Sequence, residues 1–197
     1  YPTLTLVDPA WGARGAGGME YPTLITCGTS WIAPRSAQRP ESVTIHEFGH
    51  QYFYGMLASN EFEEAWLDEG FNTYMTGRVL KNTYGPNHPV LSIFGYRLPL
   101  GIGIHHPVDS NRRYFAGAQA DPLAVKSWRF KDRATYALNV YSKTALTLAT
   151  LERLMGTASM DRCLRLYADR WRFRHPTTED WITAVRDASG HDWRWFF

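Results

Sequence analysis

Residues 43–50 of this chain read Val-Thr-Ile-His-Glu-Phe-Gly-His, and residues 66–70 read Trp-Leu-Asp-Glu-Gly. In a helix the side chains at positions i and i+4 lie above one another, so His46 and His50 are predicted to project from one face. Two imidazoles held in this way can occupy two corners of a tetrahedral zinc site. Glu47 follows the first histidine and is placed to act as a general base toward a water molecule at that site.

A third zinc ligand has to come from another part of the chain, and Glu69 is the strongest candidate. Eighteen residues separate it from His50, and Gly55 and the pair 59–60 allow the chain to turn back within that interval. A second helix is predicted from Glu61 through Glu69 to about residue 81. The neighbours of Glu69 are mostly apolar, and an unpaired carboxylate in such a setting is costly, which favours a ligand.

Each of these residues also has a simpler interpretation. Two histidines on one helix face can be buried and hydrogen-bonded without a metal, and a short H-E-x-x-H motif also occurs by chance. A single helical glutamate is more often solvated than bound to zinc. The combination of all three at this spacing favours a zinc hydrolase that binds one Zn²⁺ per chain through His46, His50 and Glu69.

The composition describes a folded globular chain of 197 residues, with 44% hydrophobic and 15% aromatic residues. The formal net charge is +2 and no long basic run occurs, so nucleic acid is not an expected partner. No stretch reaches the roughly 18 to 20 apolar residues of a transmembrane helix, so no transmembrane helix is expected within this segment. Cys27 and Cys163 could form a disulfide, but buried free thiols are favoured.

The amino-terminal part of the chain is predicted to contain two strands, at residues 3–7 and 23–27. A glycine-rich loop at residues 12–18 lies between them, and glycines such as Gly18 allow a backbone to approach a ligand closely. The segment after Glu20 is expected to include an edge strand that could pair with an extended peptide.

Most of the remaining chain is predicted to be helical. Apolar residues recur at helical spacing over residues 134–154, 159–172 and 176–189. A long irregular segment at residues 101–120 contains His105 and His106, which are interpreted as rim residues and not as metal ligands, because adjacent histidines in regular structure do not face one metal.

These motifs resemble those of the gluzincin zinc aminopeptidases, the group of aminopeptidase N and leukotriene hydrolase. The family usually reads W-L-N-E-G-F-A around its third ligand, whereas Asp68 and Asn72 replace the Asn and the Ala in this chain. The resemblance implies an α+β, mostly α fold, namely a thermolysin-like zinc metallopeptidase catalytic domain with a small amino-terminal sheet. Residues 1–197 are then one domain, with the sheet in 1–40 and mainly helices in 41–197.

The resemblance also implies roles for two further residues. Glu20 matches the glutamate of the family's G-x-M-E-N motif, which binds the free amino group of the substrate, although Tyr21 replaces the Asn. Tyr141 matches the tyrosine of a Y-x-K-G-like stretch that stabilises the oxyanion of the tetrahedral intermediate, although Thr144 replaces the Gly.

The expected function is therefore a zinc-dependent aminopeptidase that acts on peptides. Because the chain begins without Met and ends in an aromatic segment at residues 193–197, we expect it to be part of a longer protein, with flanking domains as partners. Two alternatives stay open: a zinc endopeptidase, against which Glu20 weighs, and a non-catalytic zinc-binding or metal-free scaffold, against which the intact Glu47 weighs.

Overall fold

The computed structural model describes residues 1–10, 12–13, 15–29, 38–85, 92–93, 96–97 and 121–197. Within these residues the fold is mostly helical with a small three-stranded sheet, as the α+β, mostly α prediction requires. The segment 101–120, with His105 and His106, lies outside the described residues.

The chain divides into two compact units. The first contains Tyr1–Gln51 and Met75–Asp109, and the second contains Tyr52–Tyr74 and Ser110–Phe197. Among the described residues, none of the helices combines the length and the apolar character that crossing a membrane would require.

The sheet of the first unit consists of β1 (Thr5–Val7), β2 (Gly18–Met19) and β3 (Leu24–Cys27), in the order β1-β3-β2. β1 runs parallel to β3, and β2 runs antiparallel to it. Both strands predicted from the sequence are therefore present. The expectation that the strand after Glu20 is an edge strand is wrong, because β1 and β2 pair with the two sides of β3.

The same unit contains most of α1 (Arg39–Phe53), the helix that carries His46 and His50. Pro40 and Glu41 lie in its first turn, where a proline sacrifices no helical hydrogen bond and an acid complements the helix dipole. A short hairpin of β4 (Ser92–Ile93) and β5 (Tyr96–Arg97) follows later in the chain.

In the second unit, the helix predicted over residues 61–81 is divided. It consists of α2 (Glu61–Glu64), a 3₁₀ turn (Ala65–Leu67) and α3 (Glu69–Tyr84), whose last ten residues belong to the first unit. The Trp66 indole donates a hydrogen bond to the Thr178 hydroxyl at 3.1 Å, and Thr178 in turn donates to Glu64. These tertiary contacts accompany the departure from a regular helix at residues 64–68.

The helix predicted over residues 134–154 is present but not regular. It comprises α4 (Arg133–Ala137), a π-helical turn (Leu138–Lys143) and α5 (Thr144–Met155). Two further helices follow, α6 (Thr157–Trp171) and α7 (Thr178–Ser189), close to the limits predicted for them.

An aromatic cluster forms the core of the second unit. The Phe71 ring lies 4.8 Å from Trp181 and 5.9 Å from Tyr167, between centroids, and all three residues are almost fully buried. Cys163 is also buried and, like Cys27 in the first unit, is a free thiol, as the sequence favoured. This core supports the amino-terminal end of α3, where Glu69 lies.

Candidate active site

Two histidines of α1 converge in the first unit. The Nε2 atoms of His46 and His50 lie 3.2 Å apart, and His50 is buried. The imidazole rings meet edge to face, with their centroids 4.8 Å apart. The i, i+4 spacing therefore brings one nitrogen of each ring to a common point, as the sequence predicted.

The separation of these nitrogens fits a zinc ion. Zn–N bonds of about 2.0–2.1 Å at tetrahedral angles place two ligand nitrogens about 3.3 Å apart. Two neutral imidazoles without a metal would approach to a similar distance by sharing an N–H···N hydrogen bond. The carboxylates beside His50 would supply the negative charge that a cation requires.

Glu20, Glu47 and His50 form a compact cluster in the first unit. One ligand atom from each of these side chains lies within 4.8 Å of the other two, and Glu47 is only 6% exposed. Two ionised carboxylates this close would repel each other. Such an arrangement attracts a cation, either a metal ion or the ammonium group of a ligand.

Gly18 in β2 packs directly against the Glu47 carboxylate. A Cβ added at Gly18 would overlap Oε1 of Glu47 and lie 3.2 Å from its Cδ, with Val43 only slightly farther away. A side chain at this position would therefore displace the carboxylate. Glycine is therefore required here for close approach to Glu47.

Gln51 of α1, which the sequence did not identify as a site residue, is hydrogen-bonded to the loop from Glu20 to β3. The Oε1 atom of Gln51 accepts the Thr23 backbone N–H at 2.9 Å, and Nε2 donates to the Tyr21 carbonyl at 3.3 Å. Its signal in the sequence is weak, namely a polar residue directly after His50 in a helix.

In the second unit, Glu69 and Tyr141 are joined. The Tyr141 hydroxyl donates a short hydrogen bond to Oε1 of Glu69, which is 8% exposed. Glu69 is the first residue of α3, where the helix dipole favours a negative charge. The structure thus places the predicted ligand and the predicted oxyanion donor side by side.

The contact between α3 and the π-helical turn leaves no spare volume. A Cβ added at Gly70 would overlap the Thr144 side chain and lie 2.7 Å from the Val140 carbonyl oxygen. The Thr144 hydroxyl donates to the Asn139 carbonyl at 3.1 Å, which stabilises the wider turn that carries Tyr141. π-helical turns inside α-helices occur frequently at functional sites.

A second tyrosine in the same unit, Tyr136, lies near acidic residues of the site. Burial, reinforced by the charges of Glu61 and Glu69, raises the pKa of Tyr136 to about 12. Its phenol therefore stays protonated and able to donate a hydrogen bond at any physiological pH. Tyr136 could not be singled out from the sequence, because its surroundings come from segments far apart in the chain.

The sequence of the chain also matches a known protein family. Residues 9–197 match the family model described as the Peptidase family M1 domain. The chain is 25% identical over 176 residues to leucine aminopeptidase 2 of Coccidioides immitis (strain RS). The aligned region covers 89% of this chain and 27% of that protein. The chain spans about a quarter of the length of the curated relatives that it matches first.

Solved structures show the same fold. The M1 zinc metallopeptidase from Deinococcus radiodurans superposes with a TM-score of 0.62 at 19% identity, covering 94% of this chain and 35% of that one. Native yeast LTA4 hydrolase superposes with a TM-score of 0.70 at 18% identity, covering 99% of this chain and 31% of that one.

Proposed function

Because the chain belongs to peptidase family M1, we propose that it is the catalytic domain of a zinc-dependent aminopeptidase. This membership confirms the family resemblance that its motifs indicated. The observation that carries the proposal is the cluster on α1, where His46 and His50 converge and Glu20 and Glu47 gather beside His50. A pair of imidazoles with two carboxylates suits a metallopeptidase that also binds a cationic chain end.

His46, His50 and Glu69 are the proposed ligands of one zinc ion. The 3.2 Å separation of the histidine nitrogens supports the first two. The position of Glu69, buried at the start of α3 with a tyrosine hydroxyl on its carboxylate, supports the third. When bound, zinc supplies a Lewis acid for water and for the scissile carbonyl.

Glu47 is the proposed general base. Its carboxylate lies near His50 and is largely shielded from solvent, so a proton that it takes from the attacking water is retained close to the reaction. The same carboxyl group then delivers the proton to the leaving amine. Gly18 supports this role because it leaves the space that the Glu47 carboxylate occupies.

Tyr141 is the proposed oxyanion donor. Its hydroxyl already points at the Glu69 carboxylate, so the phenol is oriented toward the proposed ligand before substrate binds. When substrate binds, the single O–H of Tyr141 turns from Glu69 to the carbonyl oxygen and stabilises the negative charge that develops there.

Glu20 and Gly18 are the proposed substrate-binding residues. A carboxylate at Glu20 pairs with the α-ammonium group of a peptide, which fixes the chain end relative to the scissile bond. β2, which contains Gly18 and directly precedes Glu20, pairs on one side with β3 and is an edge strand of the described sheet. An extended peptide can therefore add to it through backbone hydrogen bonds.

The proposed architecture is a single thermolysin-like catalytic domain over residues 1–197. Flanking domains are proposed as its partners, which agrees with the much greater length of the relatives. Activity and peptide specificity are accordingly proposed for the full-length protein and not for this segment alone.

An endopeptidase is the second candidate, because an edge strand such as β2 binds an extended peptide whether or not its end is free. The experiment that tests the proposal follows peptide hydrolysis by mass spectrometry, with the full-length protein before and after chelation. We expect sequential loss of single amino-terminal residues, abolished by the chelator and restored by zinc. Internal cleavage, or full activity in the chelated protein, would refute it.

A further inference from the structure

The side chain of Gln51 bridges two backbone groups in the loop between β2 and β3. It is 6% exposed and accepts from the Thr23 N–H at 2.9 Å while it donates to the Tyr21 carbonyl at 3.3 Å. These partners lie 28 and 30 residues away in sequence. Gln51 therefore connects the loop to α1 at the position directly after His50.

That loop begins at Glu20, whose carboxylate lies close to the Glu47 carboxylate. A Glu20 oxygen is within 4.8 Å of a Glu47 oxygen, so the two charges push the loop away from α1 when both are ionised. A neutral amide opposes this movement and adds no charge of its own. Two hydrogen bonds to backbone hold the loop regardless of which side chains it carries.

The conformation of Thr23 shows that the loop is constrained. Its φ angle is +62°, in the left-handed region that a β-branched residue rarely adopts. Such a conformation persists only where the surroundings determine it, and it is common near functional sites. Two hydrogen bonds constrain Thr23 here. Its N–H donates to the Gln51 side-chain oxygen, and its carbonyl accepts from the Thr5 N–H of β1 at 2.9 Å.

We propose that Gln51 is a positioning residue for recognition of the substrate's amino terminus. It holds the Glu20 carboxylate close to Glu47 and His50, at the point where an α-ammonium group binds. Because its amide contacts loop backbone, it acts through Glu20 and not on the substrate. This inference rests on the proposed aminopeptidase function and adds a determinant of its selectivity for free chain ends.

The test compares kcat/KM for one peptide with a free and with an acetylated amino end, in the zinc-loaded full-length protein. Gln51→Met keeps the size of the side chain and removes both hydrogen bonds. We expect it to lower the ratio of kcat/KM for the free peptide to kcat/KM for the acetylated peptide roughly ten-fold. The decrease should come from a lower kcat/KM for the free peptide. In the Glu20→Ala background, Gln51→Met should change the ratio less than two-fold, because the group it positions is absent.

Two further variants keep the test decisive. Tyr74→Phe removes a part-buried hydrogen bond of 2.8 Å to Glu152 within the second unit, and should leave the ratio unchanged even where it lowers stability. If Gln51→Met does not fold, Gln51→Glu replaces it. The carboxylate of that variant can still accept from Thr23 but repels the Tyr21 carbonyl, and it should lower the ratio as well.

The outcomes separate this inference from the proposed function. A Gln51 variant that lowers kcat/KM for both peptides equally has a structural role only, and that result would overturn the inference while the aminopeptidase function stands. An equally large effect with and without Glu20 would overturn it too. If the unsubstituted protein does not discriminate between the two peptides, the aminopeptidase proposal and this inference both fail.

Discussion

The Tyr141 hydroxyl donates a hydrogen bond to the Glu69 carboxylate and so joins residues that are 72 positions apart in sequence. One comes from the start of α3 and the other from the π-helical turn before α5. Because Gly70 packs against Thr144 without room for a Cβ, the two segments have a fixed relative position. The proposed ligand and the proposed oxyanion donor are therefore held next to each other by the fold.

Tyr141→Phe removes only the hydroxyl and should lower kcat about 10²- to 10³-fold, as the loss of one oxyanion donor does elsewhere. KM should change little, because the interaction is made mainly in the transition state. Steady-state kinetics on a free-amino peptide measures both constants. A large rise in KM at unchanged kcat would assign Tyr141 to ground-state binding instead.

His50→Ala and Glu47→Gln form a matched pair on α1. Both should lose most activity, but only His50→Ala should lose most of the bound zinc, since Glu47 is proposed to move a proton and not to bind the metal. Metal analysis of protein purified without added zinc gives the comparison. Full zinc occupancy in His50→Ala would show that the ligand assignment is wrong.

Gly18→Ala and Gly17→Ala place the same methyl group at neighbouring positions with different surroundings. At Gly18 the added Cβ overlaps the Glu47 carboxylate, whereas at Gly17 nothing lies within 4 Å of it. We expect kcat to fall at least ten-fold in Gly18→Ala, because the displaced base transfers protons less well. In Gly17→Ala it should change less than about two-fold, and similar losses in both variants would argue against a steric requirement at Gly18.

Thr178→Val tests the contact that accompanies the interruption of the helix between α2 and α3. The substitution preserves shape but leaves the buried Trp66 indole N–H without its acceptor, which should destabilise the fold by about 1–3 kcal/mol. Thr150→Val removes a hydroxyl that bonds to its own helix on the surface and should cost less than about 0.5 kcal/mol. Denaturant unfolding measures both, and equal values would mean that the Thr178 contact contributes nothing special.

The sequence predicted the elements whose cause is local. The spacing of His46 and His50 specifies a helix face, and the Thr177–Asp180 capping box marks the start of α7. The motif residues of the proposed site could be found for the same reason, since their spacing in the chain carries the information.

Features that depend on long-range contacts could not be predicted. The division of the helix at residues 64–68 involves Thr178, more than a hundred residues away. The central position of β3 depends on which strands pair with it, which alternation of side chains does not reveal. The contacts of Gln51 could not be predicted, because its partners are backbone groups, which are present at every position and produce no sequence pattern.

The most direct test of the proposed aminopeptidase function is kcat/KM for one peptide with a free and with an acetylated amino end. In the full-length protein the free peptide should be strongly preferred, because Glu20 pairs with its α-ammonium group. In Glu20→Ala, kcat/KM for the free peptide should fall roughly ten- to a hundred-fold while the acetylated peptide stays a poor substrate. Equal turnover of the two peptides by the unsubstituted protein would contradict amino-terminal anchoring and favour the endopeptidase.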